Sequence, residues 1–347
     1  MKKHTVTIKD IARELDISPS TVSRALKDHA EISKETKEAV NRVAKELNYQ
    51  PNSLALSLRY SKSHTIGIVV PEIVHFFFST VISGIEDVAH AEGYNIIITQ
   101  SNDSFEREAS NLQTLFNNRV DGILISISEE TRSSEHLEGL LQRGIPIVCF
   151  DRNVEDLDVS KVVVDDFSGG YQATEHLIKQ GYKKIAHLAG PESLVLTRER
   201  HDGYKKALED NGIKYDKNIV LYGYISEERP ARDAMKKLIK DQKPDAVFAA
   251  SDVSAMGAMN AATGLGMKVP DDFGVVGFSN WQFTSITHPS ISTIEQRGFE
   301  MGQKSAELLI KELNSEEETF LDSETIKLTT RLIHRESSNK KGDKLKD

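Results

Sequence analysis

The chain has 347 residues, with 44 Lys and Arg against 53 Asp and Glu, a formal net charge of −9. At 38% hydrophobic and 28% charged it has the composition of a globular protein of two or three domains, and apolar runs such as Ile66–Val70 fall far short of the ~20 residues that cross a bilayer. No apolar stretch of a secretory signal follows Met1-Lys2-Lys3, and a single cysteine, Cys149, excludes an internal disulfide framework, so the expected setting is a reducing cytoplasm.

The charge is unevenly spread. Residues 1–62 carry 12 Lys and Arg against 8 Asp and Glu, whereas the remainder carries 32 against 45. A basic head on an acidic body predicts that only the head meets a polyanion.

The head reads as three short helices. Thr7 with Asp10 three residues on is a capping-box start, and Ile8, Ile11, Ala12 and Leu15 fall on one helical face. Ser18 is an N-cap, and Pro19 sits at the first helical position, where its missing N–H costs nothing. The second helix, Pro19 to Leu26, turns Val22, Ala25 and Leu26 inward; its outward positions, Pro19, Ser20, Thr21, Ser23, Arg24 and Lys27, are small or basic and carry no carboxylate. Ser33 caps a third helix that ends near Asn48, ahead of Pro51. Two helices across a three-residue turn, braced by a third, form a helix-turn-helix whose second helix suits a major groove; the alternative is a generic three-helix bundle. Residues 51–63 form a linker too rich in leucine (Leu54, Leu56, Leu58) for exposed coil and too short for a stable lone helix, so they should order only against DNA or a second copy.

From residue 64 short β-branched runs alternate with amphipathic helices in two series. The first runs from a strand at Thr65–Val70 to one at Lys161–Val164; the second runs from a helix at Ser168–Gln180 to a strand at Phe273–Phe278, followed by a helix at Gly298–Leu313 and a last strand around Thr325–Ile333. Such alternation predicts two doubly wound parallel-sheet subdomains, with a ligand site at the carboxyl ends of the strands in the cleft between them. The polar tail, 337–347, reads as disordered.

Several of these segments, in this order, resemble the lactose/galactose/purine repressor (LacI/GalR) family over residues 5 to about 336. They are Thr7-Ile8-Lys9-Asp10-Ile11-Ala12 with Val22-Ser23-Arg24-Ala25-Leu26, then Tyr49-x-Pro51-Asn52 through Leu58, Asp165 to Gly190, and Pro270 to Phe278. The resemblance implies an all-α helix-turn-helix head (1–50), a hinge (51–63), and an α/β body (64–336) like a periplasmic-binding-protein type I fold. Lobe 1 would take about 64–164 and 296–324, and lobe 2 about 165–295 and 325–336. It further implies a homodimer on a pseudo-palindromic operator, controlled allosterically by a small molecule in the interlobe cleft, in the cytoplasm at the nucleoid, without enzymatic activity, cofactor or metal.

The resemblance places DNA contacts at Thr7, Ser18, Pro19, Ser20, Thr21, Ser23 and Arg24 in the head. In the hinge it places them at Asn52, Ala55, Leu58 and Arg59, with Leu58 wedged into a base step from the minor groove. Arg24 is the candidate for bidentate contact with guanine. The effector cleft is expected at Phe77, Phe78, Asp151, Arg200, Phe248, Ser251, Asp252, Ser279, Trp281 and Gln296. Blander roles stand beside these: helix-face core for Phe77, a turn residue for Asp151, a helix N-cap for Asp252, rim packing for Trp281. An aromatic wall with carboxylate, guanidinium and amide groups suits a sugar or sugar derivative. A purine is the alternative, disfavoured by Leu194 and Leu196. No phosphate-binding loop, metalloprotease pair or nucleophile elbow marks an enzyme, and a solute-binding protein would lack the DNA head.

Overall fold

In the computed structural model, which describes residues 6–49, 62–223, 227–316 and 320–341, the chain divides into two units, 1–63 and 64–347. The first is built on α1 (Ile8–Glu14), α2 (Pro19–Ala25) and α3 (Lys34–Glu46). Ser18 and Ser33 accept the N–H groups of Thr21 and Thr36 at 3.1 and 3.2 Å, starting α2 and α3. The apolar positions at helical spacing close on one another as a small core of Ile11, Val22, Ala25, Val40 and Val43. The hinge candidates Asn52, Ala55, Leu58 and Arg59 lie outside the described residues.

The second unit has two six-stranded sheets. Lobe 1 carries β1 (Thr65–Val70), β2 (Asn95–Gln100), β3 (Gly122–Ile125), β4 (Ile147–Phe150) and β5 (Lys161–Val164). Its helices are α4 (Phe76–Ala91), α5 (Phe105–Asn117) and α6 (Glu135–Leu141). Lobe 2 carries α7 (Asp166–Lys179), β6 (Ile185–Leu188), α8 (Val195–Asp210), β7 (Val220–Leu221), α9 (Glu228–Gln242), β8 (Ala246–Ala249), α10 (Asp252–Thr263), β9 (Gly274–Phe278) and β10 (Ser292–Glu295). The chain then returns through α11 (Gly298–Leu313) to β11 (Thr325–Leu328) and β12 (Arg331–Ile333). The sheet orders are β11-β5-β4-β3-β1-β2 and β12-β10-β9-β8-β6-β7, parallel except for β12 against β10. β1, β3, β4, β6, β8 and β9 are buried almost throughout, as strands covered by helices on both faces must be. Among the described residues no helix is long and apolar enough to cross a membrane.

The structure corrects three expectations. The last strand is two strands in two sheets: β11 extends lobe 1 beside β5, and only β12 joins lobe 2. Residues 325–328 therefore move from lobe 2 to lobe 1. The strand β10 carries no apolar alternation and was not anticipated; its Ser292 and Thr293 are buried but hydrogen-bonded. The tail is docked at least as far as Ser338: the Ser337 hydroxyl donates to the Val275 carbonyl at 2.6 Å, and Ser337 and Ser338 are fully buried.

In lobe 2, α7 and α8 approach so closely at Gly170 and Gly203 that a Cβ on either would overlap backbone, the Arg200 carbonyl and the Phe167 carbonyl respectively. Gly203→Val should therefore lower stability by about 1–3 kcal/mol, as overpacking does. Urea unfolding of the full chain measures this, and an unchanged midpoint would contradict the close approach.

Candidate functional site

Two surfaces gather the candidate residues. On the head, Ser18, Pro19, Ser20 and Arg24 are exposed, and Thr21 and Ser23 are half-buried. The Ser18 hydroxyl pairs with those of Ser20 and Thr21 at 2.7 and 2.8 Å, so the three form one hydroxyl cluster at the start of α2. Thr7 is less available. Its backbone N–H and its hydroxyl both donate to Asp10, at 2.9 and 2.8 Å. A phosphate, which only accepts, would have to displace Asp10 to engage that hydroxyl. Arg24 is exposed yet paired, with its guanidinium 3.3 Å from the Glu31 carboxylate. Glu31 was missed in the sequence because it lies in the loop after α2, outside the helical face.

In the body, the cleft between the lobes is lined at the carboxyl ends of the strands by Phe77, Phe78, Asp151, Arg200, Ser251, Ser279 and Gln296. Beside them stand Pro71, Glu72, His75, Asp103, Arg152, Leu196 and Ala250, which the sequence reading did not assign to the site. Phe77 and Phe78 occupy the first turn of α4 and are buried. Asp151 follows β4 with φ 60° and is buried, which raises its pKa above the usual carboxylate range. Arg152 forms an ion pair with Asp103 and lies over the Phe78 ring at 5.8 Å. Ser279, with φ 114°, donates its hydroxyl to the Gln296 side chain at 2.6 Å across the crossover between lobes.

Arg200 is the centre of the lobe 2 wall. It is almost wholly buried, donates from Nε to Asp166 at 2.7 Å and from Nη1 to the Ala250 carbonyl at 3.0 Å, and lies 3.8 Å over the Phe278 ring. Asp166 was missed, although it has a signal: the α7–α8 crossing at Gly170 and Gly203 brings the residue four before one glycine beside the residue three before the other. Burial pushes Asp166 up to about 7, against the attraction of Arg200.

Three candidates are placed elsewhere. Phe248 is fully buried in the lobe 2 core, stacked on His187 at 4.7 Å, because its side of β8 faces α7 and α8 rather than the cleft. Asp252 is fully buried; it accepts the Trp281 N–H at 2.7 Å and the Thr293 hydroxyl at 2.6 Å. It is not the N-cap of α10 either, since Ser251 takes that role. Trp281 packs edge-on to His75 at 4.5 Å and lines a separate groove with Phe76 and Phe299, sharing only Phe77 and Ser279 with the cleft. Cys149 is buried, and burial pushes its thiol up to about 12. Among the described residues no group of His, Cys, Asp or Glu is placed to hold a metal.

The cleft is shut. Its free volume is about 40 Å³, against the ~300 Å³ or more of a typical ligand site. Arg198 of lobe 2 reaches Glu155 of lobe 1 at 2.7 Å, and the Ser193 hydroxyl donates to the Glu129 carbonyl at 3.3 Å. Ligand entry therefore requires the lobes to part.

Two comparisons define the class. Residues 7–52 match the family described as bacterial regulatory proteins, lacI family, and residues 63–336 match periplasmic binding proteins and sugar binding domain of LacI family. The chain belongs to the LacI family: it is a helix-turn-helix DNA-binding transcriptional regulator with a two-lobed binding body. It is 35% identical to the ribose operon repressor of Halalkalibacterium halodurans, over 96% of this chain and 97% of that one. It is 32% identical to the transcriptional repressor PurR of Vibrio atlanticus, over 90% and 93%. The structure of the lac repressor dimer bound to operator and the anti-inducer ONPF superposes with a TM-score of 0.85 at 25% identity, over 96% and 99%.

His75 supplies a pH test of the cleft. Burial, reinforced by Arg152 and Arg200 and opposed by Asp103, lowers its pKa to about 4. Between pH 6.5 and about 4 the unfolded chain thus binds a proton that the folded chain refuses, so this residue costs stability as pH falls through that window, by at most ~1.4 kcal/mol per pH unit. Urea unfolding at pH 7 and pH 5 should show a smaller acid loss for His75→Phe than for the wild type; equal losses would refute the neutral, buried state.

Proposed function

We propose that this chain is an operator-binding repressor, acting as a homodimer in the cytoplasm, whose operator affinity is set by a neutral polyhydroxylated effector, a sugar or sugar derivative, bound in the interlobe cleft. The observation that carries the effector class is the charge balance of the cleft wall. Asp103 and Asp151 share Arg152, and Asp166 pairs with Arg200, so with Glu72 four carboxylates stand against two guanidiniums. A wall with surplus carboxylates repels phosphorylated ligands and accepts hydroxyl protons, while Phe77 and Phe78 offer a platform for the C–H face of a ring. Leu196 puts an apolar side chain where a purine edge would need hydrogen bonds. The relative named as a ribose operon repressor supports the same reading. No covalent chemistry on the effector is part of it. DNA contacts by Ser18, Ser20, Thr21, Ser23 and Arg24, and by the hinge through Asn52, Ala55, Leu58 and Arg59, complete the proposal, with effector changing operator affinity by roughly 5–150-fold.

The dimer has a candidate surface in lobe 1. β2 is an edge strand of its sheet, and Ile97 and Ile98 on it are each 37% exposed. An open edge of this composition invites pairing unless it is covered, and the lac repressor relative is a dimer. Ile98→Asp is expected to shift the chain toward monomer in sedimentation velocity and to weaken binding to a two-half-site duplex; an unaltered dimer would place the interface elsewhere.

The effector test is calorimetry of the full chain against unphosphorylated pentoses, hexoses and disaccharides, with sugar phosphates and purine bases as the opposing panel. Saturation by a neutral saccharide is expected, and Asp151→Asn, which tolerates the same left-handed backbone, should weaken it by roughly 10–100-fold through loss of a charged acceptor. Binding of a purine with no saccharide bound would overturn the reading.

A further inference from the structure

If α2 reads operator DNA, as proposed above, its guanidinium does so in company. Arg24 ends the outward face of α2, and its Nη1 stands 3.3 Å from Glu31 Oε2, both side chains exposed. The outward residues of α2 contain no carboxylate; Glu31 is delivered by the loop that follows. That loop is held in place. The His29 N–H donates to the Arg24 carbonyl at 3.1 Å, the Ile32 N–H to the His29 carbonyl at 3.1 Å, and Ile32 packs on the three-helix core. Lys37 of α3 reaches the Asp28 carboxylate at 2.7 Å and its carbonyl at 3.1 Å. The Glu31 N–H donates to His29 Nδ1 at 3.4 Å, and that nitrogen lies 3.7 Å from the Glu31 carboxylate.

A carboxylate beside a DNA-reading face is unfavourable in front of phosphates and cancels part of the attraction of Arg24. It becomes favourable in front of one kind of base edge. In the major groove a G·C pair presents acceptor, acceptor, donor: guanine N7, guanine O6, then the cytosine N4 amine. An A·T pair presents acceptor, donor, acceptor and a methyl group. A guanidinium beside a carboxylate offers donors next to acceptors, which complements the first pattern and not the second. Arginine alone reads the guanine and glutamate alone the cytosine; joined, they span the base pair, and the direction of the join sets which strand carries the guanine.

We propose that Arg24 and Glu31 read one G·C pair in each half-site as a unit, Arg24 donating to guanine O6 and N7 and Glu31 accepting from the cytosine N4 amine. Glu31 is then a specificity-determining residue supplied from outside the recognition helix. The opposing role is a brake: Glu31 would neutralise Arg24 and weaken binding to every duplex alike.

The test is enrichment of bound duplexes from a random pool by the full-length protein, then titration of the enriched site and of versions with each G·C pair replaced by A·T, at two salt concentrations, for wild type, Glu31→Gln, Glu31→Ala and Arg24→Lys. Circular dichroism checks that each head is folded. The wild type is expected to enrich a site with a fixed G·C pair in each half and to lose roughly 10–100-fold on its replacement. Glu31→Gln and Glu31→Ala should each reduce that discrimination about 10-fold, while binding the A·T-substituted site as well as the wild type or better. Uniformly tighter binding by both variants, with a steeper salt dependence and the G·C preference intact, would overturn the pairing and establish the brake. Failure of the wild type to enrich any sequence would remove the operator reading itself, and the pairing with it.

Discussion

The buried Arg200–Asp166 pair organises the binding body. Taking two charges out of water costs several kcal/mol per ion after relaxation, and the fold offsets that cost locally. Asp166, the Ala250 carbonyl and the Phe278 ring surround the guanidinium. The bonds to Asp166 and Ala250 take two of its five N–H groups, so donors remain for a cleft ligand. None of this would close without the glycine crossing of α7 on α8, because any side chain at Gly170 or Gly203 would push the two helices apart. Lobe 2 thus presents the cleft with a donor whose position is fixed before a ligand arrives, which lowers the ordering cost of binding.

The two lobes are built alike and furnished differently. Lobe 1 repeats the glycine crossing, with Gly84 of α4 against the Phe299 carbonyl and Gly302 of α11 against the Val81 carbonyl. There the crossing seats α4, whose first turn supplies Phe77 and Phe78 rather than a guanidinium. One scaffold device therefore yields an aromatic platform on one wall and a charged donor on the other. The Arg198–Glu155 bridge spans the two lobes. That bridge is exposed at both ends, so it is worth little, and parting the lobes does not require breaking a core.

Much of this was legible in the sequence, and the gaps have physical causes. Buried strands such as β1 and β4 are runs of β-branched residues, and the helix caps at Ser18 and Ser33 are local signals; both can be seen without knowing the fold. Asp151 was expected at the cleft because it follows such a strand, where ligands gather in parallel sheets, and Ser279 because of the family resemblance; both line the cleft. Phe248 and Asp252 follow the same logic and fail. One faces the core because a strand alternates its sides. The other is consumed by partners at Trp281 and Thr293, far away in sequence. The strand β10 was invisible for a related reason: Ser292 and Thr293 are tolerable in a central strand only because Ser337, Ser338 and Asp252 satisfy them. Asp166 and Glu31 share this character, since each takes its role from a partner on another element.

The division of chemistry between the lobes explains how a ligand in the cleft can set the angle between them. A ligand held by one lobe alone would bind the open and shut bodies equally and shift neither. Here the platform of Phe77 and Phe78 and the carboxylate of Asp151 belong to lobe 1, while Arg200 and Ser279 belong to lobe 2. A ring that rests on the first and hydrogen-bonds the second makes its full set of contacts at one interlobe angle only. Its binding energy then becomes a preference for that angle. At about 40 Å³ the cleft is too narrow for such a ring, so the interlobe angle must change to admit it. Because β11 and β12 send the chain back through both sheets, three crossovers join the lobes, and a change of angle must be taken up together at residues 164–166, 295–298 and 328–331. Non-glycine backbone in the left-handed region at Arg297, on the second of these, places local strain where that movement has to occur.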